Sequence, residues 1–256
     1  MALTLVSFDP IRTFDIPGVK GVKADNWKRY LHDIQAADWV LFPEHWQVNF
    51  LVYGQKKRIF PSVSSYHLGY SKIDMTYAFE TVCPENVPYT LIMPRTETAV
   101  DEILAEMPLP CVAKEVRNSM GRGVFLIENR EELEAYAAVN PMLYVQEYLP
   151  IDRDVRVVWV GDRVVAAYWR IAPPDGFHNN VARGGTVSFE AVPETAVHLA
   201  ATVARELGIN HAGFDVAMVD GKPYLLEFNM RFGTAALRQQ NIRLGPIIYN
   251  YLLENR

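Results

Sequence analysis

Two segments near the C-terminal end carry residues suited to holding a metal ion. Phe214-Asp215-Val216-Ala217-Met218-Val219 and Tyr224-Leu225-Leu226-Glu227-Phe228-Asn229 each read as a strand, joined around Asp220-Gly221. Side chains alternate along a strand, so Glu227 and Asn229 share one face while Leu226 and Phe228 share the other. A carboxylate beside an amide carbonyl is a hard oxygen pair suited to magnesium bound together with phosphate, and Asp215 is placed to supply a third oxygen. A two-residue turn would set Asp215 opposite Leu226, on the wrong face. Shared binding therefore requires a three-residue loop, Asp220-Gly221-Lys222, or a bulge, and Pro223, unable to donate a ladder hydrogen bond, agrees with such an irregularity. Alone, the pair also fits the solvent face of an amphipathic hairpin.

Three earlier segments add to this. Val112-Ala113-Lys114 ends a strand and leads into a small-residue loop with Ser119, Gly121 and Gly123. Glycines let backbone N–H groups approach phosphate oxygens, and a lysine at the strand end neutralises them. No Gly-Lys-Ser/Thr follows, so this is not a Walker loop, and a plain hairpin turn has the same composition. Val145-Gln146-Glu147-Tyr148-Leu149-Pro150 offers extended backbone to a purine edge, with acids beyond it for ribose hydroxyls. Phe177-His178-Asn179-Asn180-Val181-Ala182-Arg183-Gly184-Gly185 combines amides, a cation and glycines, as an ordinary surface loop also does.

The elements that position these residues can be read in outline. Leu3 to Phe8 and Trp39 to Phe42 are strand-like runs around a helix at 26–37, too short for a full doubly wound domain. Residues 61–65 are polar and turn-rich, which places a boundary there. Ser71 opens a helix that ends before Pro84, Tyr89 to Met93 is a strand, and Thr98 starts a helix ending before Pro108. Strands follow at 111–114, 123–127 and 143–148, with a helix at 130–139. Residues 154–160 and 163–171 form a hairpin at Gly161-Asp162. A helix from Pro193 stops at Gly208. The remainder from Thr234 is helical, with a break expected at Gly245-Pro246. Strands and helices mix without strict alternation, which gives an α+β class.

Composition sets the outer bounds. The chain has 256 residues, half of them apolar, with a formal charge of −5. That excludes overall disorder and gives no global attraction to nucleic acid or anionic membrane. No apolar run approaches the ~18 residues of a spanning helix. Met1 to Asp9 lacks a signal-peptide pattern. Cys83 and Cys111 make neither a disulfide framework nor a metal motif. A cytoplasmic location is expected.

Together, and in this order, the segments resemble the ATP-grasp superfamily, and within it the RimK-type ligases that add glutamate or related amino acids to a carboxyl end. The resemblance runs from about Ser71 to about Gly233 and is carried by Val112-Ala113-Lys114, Val145 to Leu149, Asp154-Val155-Arg156, Asn180 to Gly185, Gly213-Phe214-Asp215 and Leu226 to Asn229. It implies two α+β lobes clasping ATP over 63–256, hinged near 147–150, behind a short N-terminal unit at 1–62. By position, Lys114 would contact ATP phosphates under the loop with Ser119, Gly121 and Gly123. Glu147, Tyr148 and Leu149 would meet adenine, mostly by backbone, and Asp154 would lie near the ribose. His178, Asn179 and Asn180 would approach the phosphates. Asp215, Glu227 and Asn229 would hold two Mg2+ ions, with Mn2+ as a substitute. Arg170 and Arg183 match positions facing the acyl phosphate and substrate.

Two departures stand out. RimK-like ligases usually follow the metal-binding Asn with Ser-Pro-Gly, whereas here Met230-Arg231-Phe232-Gly233 follows, placing the cation of Arg231 beside the metal residues. The D-alanine ligase branch has an Arg two residues before the metal Asp, a place held here by Gly213. The expected activity is an ATP- and Mg-dependent carboxylate–amine ligase working through an acyl phosphate. Arg170, Arg183 and Arg231 are expected to converge on the γ-phosphate and the substrate carboxylate. The expected partners are a small-molecule or peptide carboxylate and an amine such as an amino acid, with no membrane or nucleic acid, and a homo-oligomer is compatible. The alternatives are an ATP-grasp phosphotransferase and a non-catalytic nucleotide-binding module.

Overall fold

The apolar runs near the start become β1 (Leu5–Ser7) and β3 (Trp39–Leu41). The computed structural model, which describes residues 2–117, 123–172 and 185–256, adds β2 (Val19–Gly21) and β4 (Arg58–Phe60). These four strands pair in parallel in the order β2-β1-β3-β4. Strands of three residues show too little periodicity to be read in advance. The helix expected at 26–37 divides into a 3-10 segment (Ala24–Tyr30) and α1 (Leu31–Ala36). The expected turn-rich boundary at 61–65 is instead the start of α2 (Val63–Leu68), because the Ser62 hydroxyl caps it by accepting from Ser65 N–H at 3.1 Å.

Ser71 caps α3 (Lys72–Val82) as expected. A second sheet, wholly antiparallel, has the order β5-β8-β6-β7, from β5 (Thr90–Pro94), β6 (Cys111–Lys114), β7 (Val124–Ile127) and β8 (Met142–Glu147). Helices α4 (Ala99–Glu106) and α5 (Arg130–Val139) cover it, burying Ile103, Leu133, Leu143 and Val145.

The chain then enters a third antiparallel sheet with the order β11-β10-β9-β12-β13. Its strands are β9 (Arg153–Val160), β10 (Arg163–Ile171), β11 (Thr186–Ser188), β12 (His211–Val219) and β13 (Lys222–Asn229). Alternation divides its residues sharply. One face presents Val155, Val157, Trp159, Phe214, Val216 and Phe228 to α3 and to α6 (Glu194–Glu206). Each such fully buried side chain contributes roughly 1.5–3 kcal/mol. On the other face Val158, Val160 and Tyr168 pack with Leu5, Trp39 and Leu41 of the first sheet, and with α7 (Ala235–Gln239) and α8 (Leu244–Glu254). The break expected at Gly245-Pro246 falls earlier, since both residues lie in the first turn of α8. There the missing proline N–H has no intrahelical partner to lose. One short parallel sheet and two antiparallel sheets, packed with helices, make the α+β class that was expected.

His211, at the start of β12, joins the first sheet to the end of β13. It is 1 % exposed. Its Nδ1–H donates to the Met230 carbonyl at 2.9 Å, and its ring stacks on Phe232 and meets Phe42 and Phe60 edge-on. Burial in this aromatic cage pushes its pKa down to about 3. The folded protein therefore keeps His211 neutral while the unfolded chain takes up a proton below its ordinary value of 6.5. Stability from this residue is whole above pH 6.5 and is lost as pH falls from 6.5 towards 3. Urea unfolding at pH 7 and pH 4.5 is expected to show a smaller acid loss for His211→Asn than for wild type, by about 2–3 kcal/mol. Equal losses would remove the assignment.

Candidate active site

The charged half of the third sheet is built by register. Val219 pairs with Lys222, so the turn is the two-residue Asp220-Gly221, both at positive φ (50° and 79°). One extra residue, Leu226, then breaks the ladder, and beyond it Asp215 lies opposite Glu227 and Gly213 opposite Asn229. The bulge, not a longer turn, puts the three oxygen-bearing residues on one face. Asn229 Nδ2 donates to Glu227 Oε1 at 2.9 Å.

Neighbouring strands bring arginines to Asp215. Arg156 lies opposite it on β9, and Arg156 Nε donates to Asp215 Oδ1 at 2.5 Å. Arg170 Nη2 reaches Asp215 Oδ2 at 2.8 Å, while the same guanidinium grips both oxygens of Asp154 at 2.6 and 2.7 Å. All four residues are less than 10 % exposed. Burial alone would raise the Asp215 pKa, but the Arg156 and Arg170 charges outweigh it and hold the carboxyl below its usual range. Gly213 makes this possible, because a Cβ there would lie 2.9 Å from Arg156 Nη1.

Two lysines approach from the other side. Lys114, at the end of β6, donates to Gln146 Oε1 at 2.6 Å, and Gln146 Nε2 in turn donates to Thr90 Oγ1 at 2.8 Å. Burial, reinforced by the charge of Lys72, brings the Lys114 pKa down to about 8, with Glu227 and Asp215 acting in the opposite sense. Lys72, 8 % exposed at the start of α3, is lowered by burial and held up by Glu227 and Glu115. Glu227 is thus the acid both lysines face. At the foot of the loop after Lys114, Glu115 N–H donates to the Gly123 carbonyl at 2.7 Å, and Gly123 (φ 66°) has no room for a Cβ beside Glu115.

Several expectations change. Asp154, expected near a ribose, has both oxygens turned inward to Arg170, because the strand pairing sets the two opposite each other. Arg170, expected to face the acyl phosphate, is spent on Asp154 and Asp215. Arg231 donates to Glu44 at 3.1 Å rather than joining Arg170. Asp215 keeps its place opposite Glu227, but with an arginine on each oxygen. Glu147 accepts from Tyr89 N–H at 2.8 Å through its side chain and donates its backbone N–H to the Tyr89 carbonyl at 2.9 Å, which fixes the backbone at Glu147. Ser119, Gly121, His178, Asn179, Asn180 and Arg183 lie outside the described residues. Sequence reasoning missed Lys72, Gln146 and Arg156. Lys72 did leave a signal, since it begins the buried series Lys72, Met75, Thr76, Phe79 at helical spacing, where an apolar residue is the norm.

Asp215, Glu227 and Asn229 fit magnesium, which takes one or two protein carboxylates and fills its shell with phosphate and water oxygens. Among the described residues no group of three or more His, Cys, Asp or Glu is placed to hold a metal ion.

The family model of the RimK-like ATP-grasp domain matches residues 83–251. The chain is 32 % identical over 160 residues to a protein named "Probable alpha-L-glutamate ligase" of Enterobacter sp. (strain 638), covering 60 % of this chain and 53 % of that one. It is 34 % identical over 136 residues to the ribosomal protein bS6–L-glutamate ligase of Escherichia fergusonii, covering 51 % of this chain and 45 % of that one. The chain spans about half the length of the curated relatives it matches. Its fold is shared with D-alanine–D-alanine ligase from Bacillus anthracis (TM-score 0.75, 12 % identity, 99 % and 97 % of the two chains). A RimK-domain ATP-grasp protein from Sphaerobacter thermophilus is also similar (TM-score 0.68, 16 % identity, 84 % and 81 %). With more than half of its length matched and its strand order carrying the same fold, the chain belongs to the RimK-like ATP-grasp family.

Proposed function

We propose that the chain is a magnesium- and ATP-dependent carboxylate–amine ligase. The observation that carries this is the meeting at Glu227 of two different sets of groups. Metal-type oxygens come from the third sheet, while buried Lys72 of α3 and half-buried Lys114 of the second sheet lie within electrostatic reach of Glu227. Lys72 and Lys114 would neutralise phosphate oxygens from one side, and Asp215, Glu227 and Asn229 would hold magnesium on the other. Magnesium, when bound, offsets the β,γ-phosphate charge and aligns the γ-phosphate. The 147–149 backbone, fixed at Glu147 through Tyr89, would take the adenine edge. A substrate carboxylate oxygen takes the γ-phosphoryl group, ADP leaves, the amine attacks the acyl carbon, and phosphate departs as the amide forms. Such transfer needs charge neutralisation and alignment rather than a protein nucleophile. The relatives' names make L-glutamate the first amine to test, with a peptide or small-molecule acceptor.

Glu227→Gln keeps size and one carbonyl oxygen but removes a charge. ADP release is expected to fall by about two orders of magnitude or more, since metal-centred stabilisation contributes several kcal/mol and each ~1.4 kcal/mol is tenfold. Its melting temperature without nucleotide is expected to fall only modestly, because the lost charge offsets Lys72 and Lys114 while the Asp215–arginine set is untouched. A folded, fully active variant would remove the metal role. Amide product detected by mass spectrometry separates a ligase from a phosphotransferase or a binding module.

Lys114 supplies a pH test. Free, it loses its proton near pH 8; bound phosphate favours the charged form. Mg-ATP binding at pH 8.5 should therefore take up a proton, with affinity falling by up to about tenfold per pH unit above 8. Calorimetry in two buffers of different ionisation heat reads the uptake. Lys114→Arg should reduce it, because a guanidinium stays protonated; unchanged uptake would reject the assignment.

A further inference from the structure

Arg170 differs from Arg12 and Arg231 in how it is held. Arg170 holds Asp154 with a two-pronged, short and buried fork. Arg12 and Arg231 are different. Arg12 Nε meets Asp9 at 3.2 Å and its Nη1 donates to the Phe232 carbonyl at 3.4 Å, which brings it against the residue next to Arg231. Arg231 itself donates through Nη2 to Glu44 at 3.1 Å. These contacts are one-pronged and long, and both side chains are partly open to solvent, at 28 % and 39 %. The frame around them is rigid. Thr13 Oγ1 donates to the Asp9 carbonyl and lies 2.9 Å from the buried Ser7 hydroxyl, whose proton it can accept, and Asp9 N–H donates to Ser7 Oγ. Glu44 belongs to a capping box with Gln47, and Tyr66 OH donates to the Pro43 carbonyl at 2.6 Å. The Tyr66 phenol lies within electrostatic reach of Arg231, Glu44, Asp9 and Arg12 alike.

We propose that Arg12 and Arg231 form a subsite for a carboxylate of a substrate, one that does not itself react. Resting on the ligase reading, this subsite belongs to the same active site. An incoming carboxylate would use the unspent prongs of both forks, which match it bidentately. Asp9 and Glu44 act as built-in counter-ions that keep the empty subsite neutral. The position suits a group that does not react, because Arg231 is two residues past Asn229. Their Cα atoms can be no more than about 7 Å apart, roughly the span of one amino acid. Arg12 and Glu44 precede the residues matched by the family while Arg231 lies within them, so the N-terminal unit contributes one half of this subsite. The carboxylate has two sources, the α-carboxylate of an amino-acid amine or a second carboxylate on the acceptor.

The direct test is calorimetric titration of glutarate, a dicarboxylate without an amine, into the whole protein. Glutarate is expected to bind wild type, with affinity about tenfold or more weaker in Arg12→Gln and Arg231→Gln, and partly restored in Arg12→Lys. Glu44→Gln reverses the sign: losing the counter-ion should tighten binding, which keeps the test decisive if an arginine variant fails to fold. Arg163→Gln, a surface residue on the β9–β10 hairpin, should change nothing. Kinetics then identify the source. With L-glutamate as amine and a glutamate-ended peptide as acceptor, the variants should raise KM for one of them and leave KM for ATP unchanged. If L-glutamate is the one affected, isoglutamine, which lacks the α-carboxylate, should be insensitive to the substitutions. No glutarate binding to wild type, equal binding to all variants, or weaker binding in Glu44→Gln would overturn the subsite. Because that titration needs no turnover, its failure is distinct from failure of the ligase reading, which would show as an absence of amide product in wild type.

Discussion

Everything on the catalytic face depends on keeping Asp215 charged inside a sheet. At 4 % exposure an unpaired carboxylate would be costly enough to neutralise itself. Arg156 and Arg170 prevent that, one on each oxygen, and Asp154 balances the second guanidinium. Removing one member of such a buried set typically costs 3–5 kcal/mol, because the partner is left uncompensated. The net stabilisation from the intact set is far smaller, so its value lies in orientation. Asp215 is held opposite Glu227 by the two guanidinium groups and the strand ladder.

Both hairpins of the third sheet reach this arrangement by the same device. In each, a two-residue turn sets one register and a single extra residue changes it. At β9–β10 the pairing runs from Val160 opposite Arg163 to Val158 opposite Ala166, and the slip at Val165 brings Arg170 opposite Asp154 rather than Arg153. At β12–β13 the slip at Leu226 brings Glu227 opposite Asp215. Without either bulge the polar residues would face apolar or like-charged neighbours, since a one-residue shift sends a side chain to the other face.

That explains what could be read from the chain and what could not. The strands at 154–160, 163–171, 214–219 and 224–229 are legible in the sequence, and asking Asp215 and Glu227 to share a face calls for either a three-residue loop or a bulge, of which the bulge is found. Lys114 was visible as a cation ending a strand before a glycine loop. The pairing of Arg170 with Asp154 was not, because it turns on a bulge whose own residue, Val165, has no distinguishing chemistry. Lys72 was hidden differently: it is 42 positions before Lys114, and only the docking of α3 against β13 carries it to Glu227. The arginine pair at the N-terminal junction was hidden in the same way, since Arg12 meets the Phe232 carbonyl across 220 positions.

Gly213 gives Arg156 the room to reach Asp215. In the D-alanine ligase branch an arginine occupies this place, two residues before the metal aspartate on the same strand. Here glycine leaves the space empty, and Arg156 from β9 lies across it, its Cδ 3.0 Å from where a Cβ would stand. The guanidinium is thereby positioned by the β9–β12 ladder instead of by β12 alone, because Arg156 and Asp215 are directly paired across it. A side chain at 213 would press on the outer part of Arg156 and on Phe232 Cβ, 3.2 Å away, so the guanidinium would have to shift from its place on Asp215. The two positions are therefore coupled: the absence of a side chain at 213 leaves Arg156 the room in which it lies against Asp215.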